Sequence, residues 1–175
     1  MNSLLSGDIT SVAEFLAHAL ELEVESAERY NELADNMEVH NNPGVAELFR
    51  LLAEYGSRHA EAVRQQASTY ELPAIPPWDF KWNCPEGPES PCAEDTNYLM
   101  NKCDALQVAL HNEQRGRDFY AEVARSSPSS DVQRIATEMA EEEGGHVEML
   151  KEWIAREACD FQPAVDDLDP PNMPE

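Results

Sequence analysis

Five side chains have types and spacings that suit one kind of chemistry. Glu23 and Glu113 each stand seven residues before a tyrosine, Tyr30 and Tyr120. Glu143 and His146 stand at i and i+3, and His59 precedes Ala60-Glu61 much as His146 precedes Val147-Glu148. On helices, seven residues is about two turns, so each Glu–Tyr pair shares a face, as do Glu143 and His146. Glu23 falls on an apolar stripe with Phe15, Leu16, Ala19 and Ala27. A carboxylate buried there without a partner costs several kcal/mol, so it needs a cation or a proton. A helical interior that receives Glu from two helices and Glu-x-x-His from two others has the ligand set of a di-iron or di-manganese carboxylate centre. Carboxylate oxygens with imidazole nitrogens favour iron or manganese, with zinc as an alternative. Plainer readings are a misphased stripe with outward-facing carboxylates, and ordinary bundle histidines.

The elements that must position these residues are four long helices. Ser11-Val-Ala-Glu14 is a capping box. After it Phe15, Leu16, Ala19, Glu23, Ala27, Tyr30, Leu33, Ala34 and Met37 step by three and four along one face. Asn41-Asn42-Pro43-Gly44 stops that helix, with Asn42 and Pro43 as cap and first residue of the next. Val45, Leu48, Phe49, Leu52, His59, Val63 and Ala67 give the second helix its face. The third is expected from Asp95 or Thr96 to about Arg125. The fourth is expected after Ser127-Pro128, running to about Cys159. Between helices two and three, residues 70–95 hold six of the chain's 12 prolines and form an irregular crossover. Helices of about 25 residues span roughly 37 Å, and a loop of this length covers that distance. Trp78, Phe80 and Trp82 are expected to pin it to the bundle surface. Residues 1–10 precede the bundle, which occupies 11–159, and an acidic, Pro-rich tail fills 160–175.

An internal repeat links the halves. Ala19-Leu20, Glu23, Tyr30 and Ala34 recur ninety positions later as Ala109-Leu110, Glu113, Tyr120 and Ala124. Ala53, His59 and Glu61 recur 87 positions later as Ala140, His146 and Glu148. Two helical hairpins of one design therefore pair, giving an all-α four-helix bundle with one long crossover loop.

Composition narrows the partners. The 175 residues carry 12 Lys+Arg against 35 Asp+Glu, a formal net charge of −23. Such a surface is a poor partner for nucleic acid or anionic membranes. Hydrophobic residues make up 42% of the chain, enough for a real core. No run of 18 apolar residues spans a membrane, and MNSLLSGDIT lacks a basic n-region and a long apolar h-region. A cytoplasmic setting is expected. The cysteines, Cys84, Cys92, Cys103 and Cys159, form no CxxC pair and are read as reduced thiols. A metal site or disulfide between Cys84 and Cys92 is the lesser alternative.

Taken together, Glu23…Tyr30, His59, Glu113…Tyr120 and the run Ala140-Glu-Glu-Glu143-Gly-Gly-His146 resemble the rubrerythrin branch of the ferritin-like superfamily, over residues 11 to 158. The resemblance implies a ferritin-like bundle in which Glu23 and Glu113 are terminal ligands, Glu143 bridges two metals, and His59 and His146 complete the shell. Tyr30 and Tyr120 would hydrogen-bond and orient ligand carboxylates. It also implies an oxidoreductase that reduces hydrogen peroxide, oxidises Fe(II) or activates dioxygen. Three departures stand out. Gly56 replaces the helix-two carboxylate three residues before His59, and Glu54, about 200° away round the helix, is a poor substitute. Gly116 replaces a second helix-three carboxylate. No rubredoxin-like pair of CxxC motifs is present. The two glycines are expected to open room for water, peroxide or a small carboxylate ligand. Expected partners are a separate electron-donor protein and a second copy of the chain in a homodimer. The alternative is a metal-binding or interaction bundle whose centre no longer turns over.

Overall fold

The computed structural model describes residues 9–82, 87–89 and 97–159. Among them are four helices, α1 (Val12–Val39), α2 (Pro43–Ala67), α3 (Lys102–Ser126) and α4 (Ser130–Arg156), one short 3₁₀ turn (Pro77–Asp79), and no strand. α1 packs along α2 and α3 along α4, with lighter contact between the hairpins. The sequence repeat is realised as these two hairpins, the architecture of a ferritin-like bundle.

The ends of the helices follow from local chemistry. Ser11 Oγ accepts from the Glu14 amide at 3.2 Å, and Glu14 Oε2 accepts from the Thr10 amide at 3.4 Å. Asn41, at φ 56°, turns the chain in the left-handed region that asparagine tolerates. Asn42 caps α2 without a side-chain bond to the helix; its Nδ2 donates instead to the Met100 carbonyl at 2.7 Å. The expected third-helix start is corrected to Lys102, because Asn101 and Asp104 form a reciprocal capping box there. The fourth-helix cap moves from Ser127 to Ser129, which accepts from the Val132 amide, while Ser127 Oγ donates to the Ile9 carbonyl at 2.7 Å.

Two apolar clusters fill the bundle. One gathers Phe15, Leu16, Leu22, Val63, Phe119, Val123, Val132 and Ala136 at one end. The other gathers Leu33, Met37, Val45, Phe49, Leu52, Leu106 and Leu150 at the opposite end. On every helix the residues between these clusters include polar groups: Glu23 and Ser26, His59, Asn112 and Glu113, Glu143 and His146. The apolar ends therefore hold a polar layer between them.

The crossover runs past all three levels. Phe80 and Trp82 stack with ring centroids 4.5 Å apart, and both meet the His18 ring edge-on. His18 is fully buried; its Nδ1 donates to the Glu14 carbonyl at 2.9 Å, and its Nε2 accepts from the Lys81 amide at 3.1 Å. Farther on, the Gly87 amide donates to Glu25 Oε2 at 3.0 Å, and Arg115 Nε donates to the Pro88 carbonyl at 2.7 Å. The loop reaches the far cluster at Met100, beside the α1–α2 turn. Trp78 departs from expectation: it is 82% exposed, so only Phe80 and Trp82 of the three aromatics anchor the loop.

The reduced-thiol reading is corrected for one pair. Cys103 and Cys159 form a disulfide, with Cα atoms 5.5 Å apart. Cys103 lies in the first turn of α3 and Cys159 just beyond α4, so the antiparallel hairpin brings its own two ends together. Cys84, Cys92 and the acidic tail lie outside the described residues.

Closing a loop of 56 residues removes chain entropy worth about 4 kcal/mol from the unfolded state. Cys103→Ser should therefore lower Tm by roughly 10 °C in a circular-dichroism melt; an unchanged Tm would show that the cross-link constrains nothing. Burial lowers the His18 pKa below 6.5, outweighing the Glu14 carbonyl and carboxylate that raise it. The folded state thus resists protonation, and this contribution to stability is complete above pH 6.5 and declines as pH falls below it. NMR titration of His18 should give a midpoint under 6.5, and a higher one would contradict the buried neutral ring.

Candidate metal centre

Helical register delivers the predicted residues to the polar layer. Glu23 comes from α1, His59 from α2, Glu113 from α3, and Glu143 and His146 from α4. Glu23 and Glu143 are each 3% exposed. His146 Nδ1 lies 2.8 Å from Glu143 Oε2 and 3.4 Å from Glu113 Oε2. His59 Nδ1 lies 3.4 Å from Glu23 Oε2. The two imidazoles stack almost parallel, centroids 4.5 Å apart. All five residues meet in one place.

The two tyrosines sit behind them and differ in what they do. Tyr120 Oη donates to Glu23 Oε1 at 3.3 Å. Tyr30 Oη accepts from Asn112 Nδ2 at 3.1 Å rather than meeting a carboxylate. Burial raises both phenol pKa values, so both hydroxyls keep their protons. Glu54 lies on the surface, paired with Arg58, in keeping with its angular position.

The expectation of open space at the glycines is corrected. A Cβ on Gly56 would lie 3.2 Å from the Ala27 Cβ, because α1 and α2 approach closely there. A Cβ on Gly116 would lie 2.0 Å from Glu89 Oε1. The place beside Gly116 is therefore filled by a carboxylate from the crossover loop. Glu89 is 3% exposed, and it was missed because a Pro-rich loop has no periodicity to reveal an inward face. Its trace in the sequence was the glycine that makes way for it. The remaining cavity, lined by Glu23, Tyr30, Gly56, His59, Glu89 and Glu113 among others, measures about 10 Å³. That is close to the space of one water-sized group.

The electrostatics are those of acid packed in apolar surroundings. Burial, then the nearby Glu23, Glu143 and Glu113, drives the Glu89 pKa well above the usual carboxylate range. Burial also raises Glu143 to about 8. Burial opposes the charged form of His146, but hydrogen bonds from its ring to Glu113 and Glu143 prevail and raise it to about 10. Burial would raise Glu113 too, yet His146 and Glu143 together hold it below the ordinary value. His59 is raised, its burial outweighed by Glu23.

Two buried oxygens, Glu23 Oε2 and Glu89 Oε1, lack a hydrogen-bond partner among the described residues. Donor atoms of His59, Glu143 and His146 lie within 4.8 Å of one another, as do those of Glu23, Glu89 and Glu143. Orphaned oxygens, hard oxygen and borderline nitrogen donors, and ion-sized clustering all fit a divalent transition metal.

The rubrerythrin family profile matches residues 14–75 and 104–166, one segment in each half of the chain. The chain belongs to the rubrerythrin family. The family match leaves out the loop that carries Glu89. A 2.00 Å crystal structure of an uncharacterised conserved protein from Magnetospirillum magnetotacticum MS-1 is also similar. It is 39% identical, with a TM-score of 0.66, and the match covers 89% of this chain and 99% of that one. No functionally curated protein matches. No helix among the described residues is long and apolar enough to cross a membrane.

Binding a divalent cation here must displace protons held by Glu143, Glu89 and His146. Apparent Co(II) affinity of the metal-free protein should rise between pH 6 and pH 8, by up to about tenfold per pH unit for each proton released. A flat profile in a competition titration would contradict proton displacement from this layer.

Proposed function

We propose that the chain is a non-haem iron oxidoreductase of rubrerythrin type, reducing hydrogen peroxide or oxidising Fe(II) with dioxygen or peroxide. The observation that carries this reading is a buried cluster of carboxylates and imidazoles in which Glu23 Oε2 has the His59 ring beside it at 3.4 Å, without a well-formed hydrogen bond among the described residues. Glu23, His59, Glu113, Glu143 and His146 would hold a pair of iron ions, manganese or zinc being the alternatives. Bound iron would supply the electrons that break an O–O bond.

The remaining work falls to the chain's own residues. Tyr120 fixes the orientation of Glu23 through its hydroxyl, and Asn112 fixes Tyr30. The apolar clusters on either side exclude bulk water from the layer. The small cavity excludes larger substrates. Reduction of hydrogen peroxide to two waters takes up two electrons and two protons. A separate electron-donor protein supplies the electrons, and the chain acts as a homodimer in the cytoplasm.

The close approach of Ala27 to Gly56 favours a second reading. A side chain at the α2 bridging position would press on Ala27 and require α1 to give by a few tenths of an ångström. In that reading the bundle binds metal and does not turn over.

Anomalous scattering at the iron edge counts and identifies the ions. Stopped-flow mixing with peroxide should oxidise the Fe(II)-loaded protein faster than free Fe(II). Tyr120→Phe should slow that oxidation by roughly tenfold or more. Oxidation at the rate of free Fe(II) would end the oxidoreductase reading in favour of the binding bundle.

A further inference from the structure

Glu89 is a costly residue in its position. Its side chain is buried in a layer already containing Glu23, Glu113 and Glu143, and one of its oxygens has no hydrogen-bond partner among the described residues. Burial and like charges both oppose its ionisation. An apolar residue of similar size would avoid that cost. Yet the backbone around it is fastened on both sides: Gly87 donates to Glu25 of α1, and Arg115 of α3 donates to the Pro88 carbonyl. The short segment is thus held so that the next side chain drops into the gap left by Gly116. A methyl group on Gly116 would collide with the Glu89 carboxyl at 2.0 Å. One Glu89 oxygen lies within 4.8 Å of donor atoms on both Glu23 and Glu143.

We propose that Glu89, carried by the crossover loop, is a metal ligand of this centre and takes the place that Gly116 leaves on α3. The inference rests on the metal-centre reading above and adds a sixth protein ligand to it. It also assigns the crossover a chemical task besides spanning the bundle. With Glu89 the layer offers four carboxylates and two imidazoles, so the side chain missing at Gly56 no longer leaves the centre one carboxylate short.

Co(II) is the probe, because its visible absorption reports coordination as well as stoichiometry. The wild-type chain should bind two ions. Glu89→Gln, which keeps the shape and removes the charge, should retain its melting curve but lose one ion or weaken one site at least tenfold. Its Co(II) spectrum should change as well. Gly116→Ala should reproduce the loss by displacing the Glu89 carboxyl. The double variant Glu89→Ala/Gly116→Glu, which returns a carboxylate to the same space from α3, should restore the second ion. Two ions bound to Glu89→Gln with wild-type affinity and spectrum would overturn the proposal while leaving the centre intact. Failure of the double variant, with folding preserved, would reduce Glu89 to a structural role. A wild-type chain that binds no ion would instead defeat the metal-centre reading itself.

Discussion

Removing carboxylates from water is the constraint around which this bundle is arranged. Glu23, Glu89 and Glu143 are almost wholly buried, and Glu113 is mostly so. Each ion in a medium of low polarisability is destabilised, and their mutual repulsion adds to that. The apolar clusters above and below must supply the stability that this middle layer does not. Protonation of Glu143 and Glu89, charge on His146 and His59, and cations each answer the same problem. The layer is therefore a concentration of acid whose charge has to be answered by protons, imidazolium or cations rather than a stabilising network.

Several surrounding features serve to hold that layer in shape. The Tyr120 hydroxyl and the Asn112–Tyr30 pair restrict the side chains behind it. Neutral His18, bonded at both ring nitrogens, ties the crossover to α1, and Arg115 and Glu25 tie it again beside the centre. The disulfide closes the far end of the α3–α4 hairpin. Disulfides persist in oxidising surroundings and open in reducing ones, so the redox state of Cys103 and Cys159 bears directly on how rigidly α3 and α4 present Glu113, Glu143 and His146.

Much of the centre was legible because helices impose a period. Glu23 stood out as acid on an apolar stripe, and the offsets relating Glu113 to Glu23 and His146 to His59 tied separate stretches together. The bundle and its crossover followed from the same period and the proline-rich gap. What escaped notice depends on contacts between residues distant in sequence and lacking a period. Glu89 reaches Gly116 across a loop whose inward direction is set by Glu25 and Arg115, and no local pattern encodes that. Cys103 and Cys159 form no familiar motif; they meet because two helices of similar length return to the same end. The missing side chain at Gly56 suggests an opening, but the nearness of α1 at Ala27 leaves only the small cavity it lines. Trp78 shares its spacing with Phe80 and Trp82, and only the path of the loop decides which rings turn inward.

The unlike company of Tyr30 and Tyr120 has a consequence for any pair of ions held here. A duplicated hairpin would place two equivalent ions about its axis. In this chain the α1–α2 side has a carboxylate braced by a phenol and a glycine close against α1, while the α3–α4 side has a glycine that gives way to a loop-borne acid. Any two ions held in such unlike surroundings would differ in affinity and would fill in sequence. The repeat that makes the centre recognisable is thus also the background against which its inequivalence arises.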